Sequence, residues 1–164
     1  MHSQHEQLLA TLFQALNAHN HEEIANCYHE KAYFQDIAFT LQGRKKIHAM
    51  WDFICSDDEK KVKSDIQAVV LNVSADEKTG QAVVCDIYTF RKENRRVANL
   101  ITSSFKFQDG KIIEHRDQCD PVCWARQAIG GIGGFLAGHI GWIRRGKAMK
   151  TLRQARPEAF NNGQ

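Results

Sequence analysis

The sequence predicts an α+β fold: three N-terminal helices cover one face of a curved antiparallel sheet, and a glycine-rich helical extension follows at the C-terminal end. Three observations carry this. Apolar residues recur at helical spacing as far as Ile54, and four alternating, strand-length segments then follow one another through the turn-forming links DEKTG, KEN and QDG. After Asp120-Pro121 the pattern becomes helical again and rich in glycine. The expected division is residues 1–120 for the sheet and its helices and 121–164 for the extension, within one domain.

Ser3 with Glu6 forms a capping box, and Leu8, Leu9, Leu12, Phe13 and Leu16 give the first helix its apolar stripe. Asn20 with Glu23 repeats the cap for a short second helix through Ile24, Cys27 and Tyr28. Tyr33 to Asp36 reads as a short strand continuing to Leu41, until Gly43 breaks it. Ile47, Met50, Trp51 and Ile54 then mark a third amphipathic helix, with His48 beside the stripe, where a lone histidine is more often a partly buried packing residue than a ligand. Beyond the charged loop Ser56 to Lys63, strands are expected over Asp65–Val73, Gln81–Arg91, Arg96–Phe107 and Lys111–Cys119.

The stretch NLITSSFKFQDGKIIEHRDQCD, Asn99 to Asp120, concentrates the candidate chemistry. Period-two alternation places Ile113, His115, Asp117 and Cys119 on one side of the last strand, so an imidazole and a carboxylate follow an apolar residue on one face. Such a face is either a pocket wall or an exposed strand kept soluble by its charges. In the second long strand Val84, Asp86, Tyr88 and Phe90 share a face. A carboxylate there needs water or a partner, and His115 with Asp117 is the partner the meander can supply.

The chain has 164 residues and a formal net charge of +3, enough length for a core without staples and too little charge to argue for nucleic acid. The basic surplus lies mainly in the last helix and reads as a solvated face. Cys27, Cys55, Cys85, Cys119 and Cys123 are odd in number and lack paired CxxC spacing, so reduced thiols and no structural metal are expected. MHSQHEQ has no charged leader and apolar core, which makes the expected location cytoplasmic. AIGGIGGFLAGHIGWI, residues 128–143, is shorter than the roughly 20 apolar residues of a membrane span and carries His139. It is expected to be a close-packed helical hairpin, an apolar lid over a pocket or dimer face, or a tail packed on its own sheet, with Pro157 onward frayed.

The element order and FKFQDGKIIEHRDQCD resemble the nuclear transport factor 2-like superfamily over about residues 4–120. That resemblance implies a cone-shaped α+β fold with a deep pocket, as in ketosteroid isomerases, SnoaL-like polyketide cyclases, limonene epoxide hydrolases and dehydratases. Uncharacterised bacterial members resemble it further through GKI (Gly110 to Ile112), H-x-D-x-x-D (His115, Asp117, Asp120) and W-x-RQA (Trp124, Arg126 to Ala128). Against ketosteroid isomerases, LFQALNAHNHEEIANCYHEKAYFQD places Asp36 at the general base, while Leu12 and Ser103 stand where oxyanion donors would be. The SnoaL-like pattern is matched by Glu114, His115 and Asp117. The epoxide hydrolase pattern aligns Asp117 and Asp86 with its two carboxylates and Val84 with its bridging Arg.

Taken together, the catalytic candidates are Asp117, His115, Asp86 and Asp36, and the substrate-contact candidates are Tyr88, Trp51, Tyr33, Phe105 and Trp124. The expected activity is cofactor-free acid/base chemistry on a small apolar molecule: isomerisation, cyclisation, dehydration or epoxide hydration. The alternative is a non-catalytic ligand-binding or dimerisation module. A homodimer is expected, with no nucleic acid, no membrane span, no cofactor and no metal.

Overall fold

Leu9, Leu12, Phe13 and Leu16 fall on one side of helix α1 (Gln4–Asn17), and all four are buried in the computed structural model, which describes residues 4–57, 63–134 and 141–161. The capping Ser3 lies outside those residues, as does the middle of the charged loop. At the end of α1 the Asn17 side chain accepts the Ala68 N–H (2.6 Å) and donates to the Ala68 carbonyl (3.0 Å), which locks the helix onto the sheet. Helix α2 (His21–Asn26) follows, capped by Asn20, whose side chain accepts the Glu23 N–H.

Strand β1 spans Tyr28–Gln35, so Tyr28, expected in the second helix, is instead a fully buried strand residue. The reason is non-local: β1 pairs in parallel with the last strand of the sheet, beginning with Tyr28 opposite Ile112. Nor does β1 run on to Leu41. Asp36 turns the chain by accepting the N–H groups of Ala38 (2.7 Å) and Phe39 (2.5 Å), and β2 (Thr40–Gln42) folds back on β1. Helix α3 (Arg44–Cys55) then buries Ile47, Met50 and Trp51.

The antiparallel strands are β3 (Gln67–Ala75), β4 (Thr79–Phe90), β5 (Arg95–Gln108) and β6 (Lys111–Gln118). Among the described residues, six strands form one curved, unclosed sheet in the order β2-β1-β6-β5-β4-β3, a cone whose hollow is packed by α1, α2 and α3. The β5–β6 turn is Asp109–Gly110 with φ of 53° and 69°, a two-residue hairpin in which the second position suits glycine. Just after it the register shifts: Phe107 faces Ile112, but Lys106 faces Glu114. Ile113 is thus a bulge, which corrects the face expected from strict alternation. Ile112, fully buried, shares the core side with His115, because their partners Phe107 and Phe105 are two residues apart.

Helix α4 (Pro121–Ala128) starts from Asp120, whose side chain accepts the Val122 and Cys123 N–H groups. It packs Trp124, Ala125 and Ala128 on Val97 of β5, a second, smaller apolar cluster. Beyond it, a Cβ on Gly134 would sit 2.7 Å from the Ala125 carbonyl oxygen, so the glycine permits close packing on α4. Residues 135–140 of the glycine-rich stretch lie outside the described residues. Helix α5 (Gly141–Ala155) rests on α3, burying Leu152 completely, and Arg144 donates to the Ile37 carbonyl in the β1–β2 turn (2.8 Å). Pro157–Ala159 is not frayed: it forms a 3₁₀ turn with Ala159 buried, and Arg153 and Lys46 lie over the Phe160 ring. No helix among the described residues is long and apolar enough to cross a membrane.

Candidate active site

Because β6 curls over the hollow of the sheet, its inward side chains meet those of β1, β4 and β5. His115 is 3% exposed and lies between Phe105 and Phe34, with ring centroids 4.4 and 5.0 Å away. Its Nε2 is 2.8 Å from Asp117 Oδ1 and its Nδ1 is 2.7 Å from the Tyr28 hydroxyl. A carboxylate only accepts, so Nε2 carries the proton, and in the neutral imidazole Nδ1 accepts from Tyr28. Ser103, directly opposite Asp117 across β5, donates to the same Asp117 oxygen at 2.5 Å. The result is a polar chain, Tyr28–His115–Asp117–Ser103, threaded through an apolar core.

Two further carboxyl groups feel Asp117. Asp86, on β4 beside Val84, is pushed up to about 7, first by burial and then by the negative charge of Asp117. Asp36 is pushed up to about 6 by burial, opposed by the Phe39 and Ala38 N–H bonds and assisted by Asp117. Burial also holds the Tyr28 and Tyr88 hydroxyls well above the usual phenol range. Carboxyl groups whose environments differ in this way can divide acid and base roles near neutral pH.

Asp86, Asp117, His115 and Ser103 share a cavity with Trp51 and, on the apolar side, α1 residues including Leu12 and Phe13. The cavity volume is about 20 Å³, room for about one water. The Trp51 indole N–H on that wall is buried without a hydrogen-bond acceptor, although it lies near the Tyr28 hydroxyl.

Of the candidates named from the sequence, Asp117, His115, Asp86 and Trp51 line this cavity. Asp36 sits just beyond, fixed in its turn. Phe105 buttresses His115 from the β5 side. Tyr88 accepts the Trp124 indole N–H (2.7 Å), and both belong to the cluster under α4. Tyr33 is not brought to the cavity: its hydroxyl donates to Gln35 and the Arg116 guanidinium lies over its ring. Glu114 is likewise engaged with Lys106 and Arg116. Read as a helical residue, Tyr28 is hidden from the site by its strand pairing, and Ser103, at an oxyanion-donor position by resemblance, gains its hydrogen bond only opposite Asp117. The parity of Ser103 with Phe105 on β5 was the available signal.

The six-stranded, curved and unclosed sheet packed by helices has the cone fold of the nuclear transport factor 2-like superfamily. Residues 9–115 match the SnoaL-like domain, and the chain belongs to that family. Among solved structures it is similar to an LEH-like epoxide hydrolase of M. tuberculosis, with 13% identity and TM-score 0.63 over 85% of this chain and 95% of that one. It is similar to TsrD from Streptomyces laurentii at 17% identity and TM-score 0.64, over 78% and 96% of the two chains. A protein of ketosteroid isomerase-like fold from Catenulispora acidiphila, in complex with trimethylamine, gives 10% identity and TM-score 0.63 over 74% and 91%. At these identities the likeness is one of fold. No curated protein matches the sequence.

Proposed function

We propose that this SnoaL-like protein is a cofactor-independent acid/base enzyme that takes a small, largely apolar molecule into its cone. The observation that carries the reading is the convergence of Asp86 and Asp117 with His115 on one cavity otherwise walled by apolar side chains. Asp117, oriented by His115 and Ser103, is the base, and Asp86, which retains its proton up to about neutral pH, is the acid. The cavity lined by Asp86, Asp117 and Ser103 has room for about one water, which suits hydration as well as proton shuttling. The Trp51 indole N–H, beside the Tyr28 hydroxyl on the cavity wall, is the donor offered to a substrate oxygen. Asp36, Tyr88 and Trp124 form the outer part of the same site. The functional unit is a cytoplasmic homodimer, formed through the exposed apolar row that Val69 and Leu100 make on either side of Cys85.

A second reading, a non-catalytic binding or assembly module, is favoured by the size of the cavity. Leu12, Phe13 and Leu16 fill the space a substrate would need, so catalysis requires α1 to yield. Native mass spectrometry of protein purified from its own cells, before and after denaturation, separates the two. A co-purifying small molecule, turned over by the wild type and at least about 100-fold more slowly by Asp117→Asn, supports the enzyme. Full turnover by Asp117→Asn, or an empty protein that resists a broad thermal-shift ligand screen, leaves the assembly module.

A further inference from the structure

Outside the cavity, where α2 packs on α3, two imidazoles meet. His21 Nδ1 of α2 and His48 Nε2 of α3 are 2.9 Å apart with their rings stacked, and Glu22 Oε1 is 3.4 Å from His48 Nε2 and 4.0 Å from His21 Nδ1. Two ring N–H groups cannot face each other at 2.9 Å, so at least one of these nitrogens presents a lone pair. Three donor atoms thus form a triangle with edges of 2.9, 3.4 and 4.0 Å. The corresponding edge of a tetrahedral zinc site, with metal–ligand bonds of 2.0–2.1 Å, is about 3.3 Å.

We propose that His21, Glu22 and His48 form a divalent metal site suited to Zn²⁺, with water as the fourth ligand. Two imidazoles and one carboxylate are a donor set that zinc takes readily and that calcium and magnesium, which prefer oxygen, do not. The site has a supporting layer. Asp52 Oδ1 lies 3.4 Å from the far nitrogen of His21, where a carboxylate fixes the orientation of a metal-bound imidazole. Asp52 is itself held by Ser56 (2.6 Å) and by Arg156 at the end of α5 (2.5 Å). The open fourth direction is available because Glu22 and His48 border a solvent-filled cleft that also includes Glu30, Arg44 and Lys45. A metal here would fasten α2 to α3, the helix that presents Trp51 to the cavity, and would do so independently of any chemistry at Asp117.

The full-length protein, stripped with a chelator, is titrated with ZnCl₂ by calorimetry and native mass spectrometry, and Co²⁺ is used as a spectroscopic probe. The expected result is one Zn²⁺ per chain, tetrahedral Co²⁺ bands in the visible, and a raised Tm. His21→Gln and His48→Gln each weaken binding by more than about 100-fold, and Asp52→Asn by about 10- to 100-fold. His29→Gln, whose ring instead faces Asp109, leaves binding unchanged. Because Glu22 is exposed, Glu22→Gln keeps the fold and tests the site even if a histidine variant misfolds, with weaker binding and altered Co²⁺ bands expected. Absence of stoichiometric binding, or binding unaffected by His21→Gln, His48→Gln and Glu22→Gln, overturns the proposal and leaves an ordinary imidazole–imidazole hydrogen bond.

Discussion

Replacing Asp86 by Asn should stabilise this protein above neutral pH and do little in acid. The carboxyl group is pushed from 3.8 to about 7 in the folded chain, chiefly by burial and secondarily by Asp117. A group raised in this way binds its proton more tightly when folded, so it carries no penalty below the unfolded value. As pH rises from there through the folded value, stability is lost. At about 1.4 kcal/mol per unit, the loss at pH 8 amounts to about 4 kcal/mol, against less than about 1 kcal/mol at pH 4. Asn matches the shape of Asp without the charge. Urea unfolding of wild type and Asp86→Asn at the two pH values should therefore give a gain of several kcal/mol at pH 8 that nearly vanishes at pH 4. In an Asp117→Asn background the gain should shrink, because the repelling charge is gone. An equal offset at both pH values, or no gain at pH 8, would show that Asp86 is hydrated in solution, and the acid role assigned to it would fall. A destabilising carboxylate kept in a core points to a site under functional demand.

Tyr28→Phe deprives His115 Nδ1 of its donor inside the core and should cost about 1–3 kcal/mol in denaturant unfolding, with a shifted ¹⁵N tautomer signature for His115. Gln127→Ala removes the amide that both donates to and accepts from the Ala98 backbone. It should lower stability by about 1–2 kcal/mol, and amide hydrogen exchange at Ala98 should accelerate. Leu9→Ala, at a fully buried position in α1, should cost about 2–5 kcal/mol by chemical unfolding. Leu100→Lys, on an exposed apolar position, should abolish the proposed homodimer in light scattering while the circular dichroism spectrum stays that of the wild type; a wild type that is monomeric, or a variant that stays dimeric, refutes the interface.

Local chemistry was legible in the sequence wherever it acts over short range. The α1 stripe, the Asn20 and Asp120 caps, the α3 spacing and the Asp-Gly turn each act within a few residues of themselves, and each lies where its pattern places it. What escaped depends on partners far along the chain. Tyr28 is a strand residue only because β6 arrives beside it, and the bulge at Ile113 exchanges Ile113 for Ile112 on the core face. The carboxylate Asp117 and the imidazole His115 could be picked out two residues apart, yet their flanking hydroxyls, Tyr28 and Ser103, come from strands whose register no local pattern reveals. Similarly His48, read alone, is a packing residue; it becomes a ligand candidate only because the corner after α1 brings His21 to it. The motif W-x-RQA gains a physical meaning from the fold. Trp124 bonds Tyr88, Gln127 grips Ala98, and Ala128 is buried against Val97, while Arg95 bonds the carbonyls of Arg126 and Gln127.

That grip on Ala98 has a consequence for how the chain behaves when damaged. β5 is 14 residues long and β6 only 8, so ahead of Thr102 one flank of β5 has no neighbouring strand. The Gln127 amide imitates a peptide group and occupies the backbone donor and acceptor that a seventh strand would seek. Helix α4 is therefore a guard against intermolecular strand addition. A chain cut after Asp120 would keep every strand of the cone, but it would expose a ready template for strand addition, with Leu100 beside it. Such a fragment would be lost to precipitation or proteolysis although its cavity wall is intact.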